Sequence, residues 1–138
     1  MIHLDTNYLV GLAVQGSAAA LAVDGWLVAG ETLAASAIGW TEFLTGPVTP
    51  LEISRAEAVL QSRILPFVQA DAVLAAELFN RTGRRRGSRL DCLIAATAIR
   101  EQAQMATVNT MDFQVFVPHG LVLAVAPPPP APSDPRAS

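Results

Sequence analysis

Four acidic residues stand out by their surroundings. Asp5 closes the apolar opening MIHLD, Glu42 lies in WTEFL, Asp91 heads SRLDCLIAATAI, and Asp112 follows Asn109 in TVNTMDF. A helix that is apolar on nearly every side is usually buried. Residues 88–99 therefore read as a helix running through the middle of the domain with a carboxylate at its head. Each residue alone has an ordinary explanation. Asp91 and Asp5 suit helix caps, Glu42 a solvated helix face, and Asp112 and Asn109 a turn. Brought together they would do different chemistry, because carboxylates at one edge repel one another and some stay protonated at neutral pH unless a cation lies between them. Mg²⁺ and Mn²⁺ prefer such oxygen donors, and Mg²⁺ keeps several waters beside one or two carboxylates. A cation held there lowers the pKa of a water and neutralises charge as a phosphodiester is broken.

The elements that must position these acids alternate along the chain. Ile2 and Leu4 mark a short strand ending at Asp5, and a helix over residues 6–15 follows, capped by Asp5 or Thr6. A second helix is expected over 17–29 with Asp24 outward, a strand over 32–36, and a third helix over 37–46 that carries Glu42 and stops at Gly46 and Pro47. Thr49 as cap, Pro50 at the first helical position and Glu52 begin a helix that should run to Arg63. Residues 64–68 read as a strand, and Pro66 puts it at the edge or the end of the sheet. A helix over 70–83, the basic loop GRRRGSR, the Asp91 helix, a strand over 105–110 bearing Asn109 at its C-terminal end, and a last strand over 121–125 complete the pattern. Such alternation predicts an α/β domain with a mainly parallel sheet. Ligands of these sheets bind outside the carboxyl ends of the strands, where strand order reverses. Asp5, Asp91, Asn109 and Asp112 fall at that edge, and Glu42 reaches it from the third helix. Residues 127–138, PPPPAPSDPRAS, are proline-rich and read as an extended tail, which leaves residues 1–126 as one domain.

Composition excludes several classes. The chain is 51% hydrophobic, yet Gln15, Asp24, Glu31 and Glu42 interrupt its apolar stretches before they reach membrane-spanning length. No Lys or Arg precedes Arg55, so the basic start of a secretory signal is missing and a cytoplasmic protein is expected, with no membrane partner. The single cysteine, Cys92, permits no intrachain disulfide or Cys-rich zinc site and reads as a buried, inert thiol. All nine basic residues are arginines, which removes P-loop and Schiff-base chemistry. The same absence of lysine argues against Asp-nucleophile phosphatases and phosphoacceptor receivers, which set a lysine beside the phosphoryl group. His3 and His119 are isolated and give no support to a Ser-His-Asp triad. Trp26, Trp40, Phe43 and Phe79 sit at helical positions and read as core or dimer contacts. Arg84, Arg85 and Arg86, with Arg81 and Arg89, would ordinarily be a solvated loop. In a chain of net charge −3 they also form a local positive patch, suited to RNA phosphates or to an acidic segment of a partner protein. With the four candidate acids set aside, nine basic residues face eight acidic ones, so net charge does not oppose RNA binding.

The motifs LDTNYLV, WTEFL, DCLIAATAI and TVNTMDF, in this order and spacing, resemble those of PIN-domain nucleases, most closely the VapC-type toxins of toxin-antitoxin pairs. The likeness spans residues 1 to 125, all but the tail. It implies a three-layer α/β/α domain with a parallel sheet of about five strands, Mg²⁺- or Mn²⁺-dependent endoribonuclease activity on a structured RNA such as tRNA or rRNA, homodimerisation, and inhibition by a cognate antitoxin. Position by position, it makes Asp5, Glu42, Asp91 and Asp112 the metal-site acids. It gives Thr6 a role in positioning Asp5 or a water, and Asn109 a role in orienting Asp112 or the water shell. The family pattern leaves open a non-toxic RNA-processing nuclease, and a non-catalytic module that binds RNA or protein stands further off. The segment from Leu33 to Trp40 is smaller and more apolar than the family pattern, and the tail has no counterpart in it.

Overall fold

In the computed structural model, which describes residues 1–128, five parallel strands form one sheet in the order β3-β2-β1-β4-β5. β1 (Ile2–Leu4) leads into α1 (Thr6–Gly11) and α2 (Ala18–Val28), and β2 (Leu33–Ser36) into α3 (Ala37–Thr45) and α4 (Pro50–Leu60). β3 (Ile64–Leu65) precedes α5 (Gln69–Arg81) and α6 (Arg89–Arg100). β4 (Gln104–Ala106) is followed by α7 (Thr110–Gln114), a 3₁₀ turn at Val117–His119 and β5 (Val122–Leu123). The α/β class and the parallel sheet expected from the alternation are present. β3 lies at the sheet edge, where Pro66 leaves no missing ladder donor inside the sheet. Among the described residues no helix is long and apolar enough to cross a membrane.

Two apolar cores make the three layers, one on each face of the sheet. Ile2, Leu4, Leu33 and Ala35 pack with Leu9, Val23, Trp26 and Leu60 from α1, α2 and α4. Met105 packs on the other face with Leu78 of α5, Ile94 and Ala98 of α6, and Phe113 and Phe116. β1 is central and its side chains alternate between faces, so His3 turns to the second side and is buried there. From Cys92 to Ala98 α6 is buried apart from the partly covered Leu93, as its all-round apolar character requires.

Several boundaries differ from expectation, each for a local reason. α1 ends at Gly11, because Ser17 donates its hydroxyl to the Gly11 carbonyl at 2.7 Å and a Cβ at Gly11 would lie 2.6 Å from that of Ala19. α4 stops at Leu60 instead of Arg63, because Gln61 and Ser62 turn left-handed at φ 48° and 65°; Arg63 then folds back to donate to the Leu33 carbonyl at 2.8 Å. β4 ends at Ala106, short of Asn109, because the Thr107 side chain turns toward Asp5. At the far end the Trp26 indole donates to the Val125 carbonyl at 3.3 Å, and Pro127 lies over Gly25, where a Cβ would be 2.4 Å from its ring. The expected proline-rich tail therefore begins with a residue packed on α2, and its residues 129–138 lie outside the described residues.

Candidate active site

Strand order reverses between β1 and β4, and the two residues just past those strands meet there. Thr107 donates its hydroxyl to Asp5 Oδ2 at 2.8 Å. Asp5 is also the N-cap of α1, with Oδ1 accepting the Thr6 N–H at 2.8 Å, and Asn7 Nδ2 donates to Oδ2 at 3.3 Å. Burial pushes the Asp5 carboxyl above its usual range. The Thr107 hydroxyl and the Thr6 N–H oppose this, the Glu42 charge adds to it, and Asn7 opposes it. Three neutral donors thus hold a buried carboxylate still without neutralising it.

The other acids arrive from three helices. Glu42, partly buried on α3, accepts the Thr6 hydroxyl at 2.9 Å on Oε1, so Thr6 joins the first acid to the second through its own N–H and hydroxyl. Asp91 lies in the first turn of α6 and accepts no hydrogen bond among the described residues, so the expected cap is corrected. Ser88 takes the N-cap position, and its hydroxyl donates instead to the Arg85 carbonyl at 2.8 Å. Burial first, then the charges of Asp5, Asp112 and Glu42, push the Asp91 carboxyl up to about 6, while Arg85 pulls it back. Asp112 is exposed in the first turn of α7. Three of the four sequence-predicted acids therefore act on the carboxyl group of the fourth. Cys92, beside Asp91, is buried, and burial raises its thiol as well.

Asn109 sits at the N-cap position of α7, where its carbonyl accepts the Asp112 N–H at 3.1 Å. Its side chain makes no hydrogen bond among the described residues. The connecting work falls to Thr107, which accepts the Asn109 N–H at 3.0 Å, and to Asn7, whose Oδ1 accepts the Val108 N–H at 3.3 Å. Sequence reasoning passed over both residues. The available signal was position: Asn7 lies two residues after Asp5, and Thr107 is the first polar residue after the apolar Met105–Ala106 pair.

The basic loop divides. Arg85 turns toward the acids and donates from Nη2 to the Asp112 carbonyl at 3.3 Å, whereas Arg84 and Arg89 pack on Phe79 and Arg86 is exposed. Among the described residues no three His, Cys, Asp or Glu side chains close tightly enough to enclose an ion by themselves. The donor set fits a hard cation that keeps most of its waters and takes one or two carboxylates. It does not fit the closed nitrogen and sulfur cage of structural zinc.

Fold and site define a class: an α/β domain, layered on both faces, with an acidic centre at the switch point of a parallel sheet. Residues 2–115 match the PIN domain family model, and the chain belongs to that family, whose members are nucleases. The fold is similar to that of VapBC2 from Rickettsia felis bound to a DNA fragment from their promoter, with TM-score 0.67 and 25% identity over 90% of this chain and 98% of that chain. It is similar to a toxin-antitoxin complex from Klebsiella pneumoniae, with TM-score 0.66 and 26% identity over 82% and 90%. It also resembles FitAcB from Neisseria gonorrhoeae in fold, with TM-score 0.62 and 23% identity over 90% and 97%. No curated protein matches the chain.

Proposed function

We propose that the protein is a Mg²⁺- or Mn²⁺-dependent endoribonuclease, the toxin of a toxin-antitoxin pair, acting as a homodimer and restrained by a cognate antitoxin. The observation that carries this reading is the Asp91 carboxyl, raised to about 6 by burial and by three other acids. Such repulsion destabilises the fold unless the site serves a cation. Asp5, Glu42, Asp91 and Asp112 would hold the ion, one or two of them directly and the others through its waters. When bound, it lowers the pKa of a water and offsets charge on the phosphorus centre and the leaving oxygen. The chain's own residues supply placement. Thr107 and Asn7 immobilise Asp5, Thr6 sets Glu42 against it, and the buried α6 fixes Asp91. Asp112, exposed at the rim, is placed to meet incoming substrate. The toxin role draws on the fold shared with complexes from Rickettsia felis and Klebsiella pneumoniae.

The test is cleavage of total RNA by purified protein in Mg²⁺, Mn²⁺ or EDTA, with Asp91→Asn alongside. Discrete fragments that need metal and disappear in the variant are expected. Equal cleavage by both proteins would sink the proposal.

A further inference from the structure

Three arginines at the entry to α6, Arg84 and Arg86 in the loop and Arg89 at the first helical position, are not taken up by the acid site. Arg84, Arg86 and Arg89 are exposed, and the ion pairs among the described residues involve only Arg100 and the N-terminus, so no carboxylate neutralises them. Two are nevertheless held in place. The guanidinium carbons of Arg84 and Arg89 each lie 5.2 Å from the centroid of the Phe79 ring, and Arg84 also donates to Asn80. A cation over an aromatic face is fixed without losing its charge. The backbone contributes as well: Gly83, Arg84 and Gly87 are left-handed, at φ 87°, 52° and 83°. A non-glycine residue keeps that conformation where its surroundings hold it.

Two cavities meet at this pair of arginines. One, of about 450 Å³, is lined by Phe79, Gly87, Arg84, Arg85, Arg86 and Arg89. The other, of about 370 Å³, runs between α5 and α6 over Ala72, Ala75, Ala76 and Leu93. Phe79, Arg84 and Arg89 line both. A cationic hollow and an apolar one with a shared aromatic wall match the two halves of a nucleotide, the anionic phosphate and the flat base. Duplex RNA keeps its bases stacked inside, so a single strand presents both halves. The bond from Arg85 to the Asp112 carbonyl joins this place to the acids.

We infer that the α5–α6 groove and its arginine loop form a subsite for one nucleotide of single-stranded RNA beside the scissile bond. The phosphate lies on Arg84, Arg86 and Arg89, and the base lies against Phe79 and the apolar floor. The inference rests on the nuclease reading above. An acidic peptide would answer the same cations, but the apolar hollow and the Phe79 ring shared with those arginines suit a flat base beside the phosphate.

The experiment is fluorescence anisotropy in EDTA over a series of salt concentrations. It uses a short labelled RNA of mixed sequence, alone or annealed to its complement, with thermal melting to establish that each variant is folded. Single strand is expected to bind about tenfold tighter than duplex. Arg84→Gln and Arg89→Gln should each weaken binding and flatten the dependence of log K on log salt by about 0.7. Ala76→Leu, at an exposed helix position that accepts leucine, should fill the apolar hollow and weaken binding about fivefold with the salt slope unchanged. Wild-type affinity in all three variants, or equal affinity for duplex, would overturn the subsite. So would capture of polyglutamate with no RNA bound, which would assign the groove to an acidic protein segment. Binding is read without metal, so intact binding with no cleavage in the RNA assay would fault only the nuclease reading.

Discussion

At the scale of single residues, two of the four candidate acids, Asp5 and Glu42, are held by neutral donors. Thr107 is the sharpest test, since its hydroxyl serves Asp5 and its Oγ1 accepts the Asn109 N–H. Thr107→Val keeps the shape and removes both bonds. The expected result is a stability loss of about 1–2 kcal/mol in denaturant titration and a larger loss of cleavage, which Thr107→Ser restores. A purely structural Thr107 would lose stability and activity in step. Asp91→Asn should act in the opposite sense on stability. The folded carboxyl titrates at about 6, above its ordinary value of 3.8, so the ionised form is disfavoured in the folded protein. In EDTA the variant should therefore melt above wild type at pH 7, and the advantage should shrink as pH falls from about 6 toward 4. A lower melting temperature for Asp91→Asn at pH 7 would remove the argument that the acids strain the fold.

At the scale of elements, α5 and α6 are tied by a second acidic residue that does no chemistry at the site. Asp71 is fully buried, and its carboxylate accepts the Val68 N–H, the Thr97 hydroxyl and the Arg100 guanidinium. Burial alone would raise its pKa, but the Arg100, Val68 and Thr97 bonds outweigh burial and hold it below the usual range. Its stabilisation is thus present at neutral pH and is lost as acid takes the pH below the ordinary carboxylate value. Arg100→Gln leaves that charge buried without its partner and should cost about 3–5 kcal/mol. Asp71→Asn leaves a partly exposed arginine that still pairs with Glu101 and should cost less; the reverse order in chemical denaturation would count against the buried-charge account. β1 carries the opposite device. His3 is buried with neither ring nitrogen bonded, and burial, then the N-terminal charge and that of Arg100, bring it down to about 4. The unfolded chain takes up the proton near 6.5, so stability falls by up to about 3 kcal/mol as pH drops from 6.5 to 4. His3→Phe should abolish that part of the acid sensitivity in melts across this range.

At the scale of the whole molecule, the acids and the cation they would hold form one thermodynamic system. A ligand that binds only the folded form stabilises it by about 2.7 kcal/mol at a hundredfold excess over Kd. Mn²⁺ should therefore raise the melting temperature of wild type and leave Asp91→Asn nearly unmoved; equal shifts in both would place the ion elsewhere. The fold behind this site was largely legible in the chain. Short apolar runs alternating with capped helical stretches led to the parallel sheet, and the run from Cys92 to Ala98, apolar but for Thr97, led to a buried α6. Three of the candidate acids were legible because Asp5, Asp91 and Asp112 stand at element boundaries, where a side chain is free to face the sheet edge, whereas Glu42 reaches that edge from within α3. Less legible were α1 and α4: the end of α1 depends on a contact with Ala19 in the next helix, and the end of α4 on the bond from Arg63 to Leu33, 30 residues away. Asp91 as a cap was misread, because local pattern cannot show that Ser88 occupies the cap position and spends its hydroxyl on Arg85. By itself, then, the sequence determined the order of elements and put forward the four candidate acids, because periodicity and residue position are local properties. Only the tertiary structure decided which neutral groups hold Asp5 and Glu42, that Thr107 bridges to Asp5, and that Arg85 faces the acids while Arg84 and Arg89 face Phe79. Those choices depend on distances between segments as much as 102 residues apart, which no local pattern encodes.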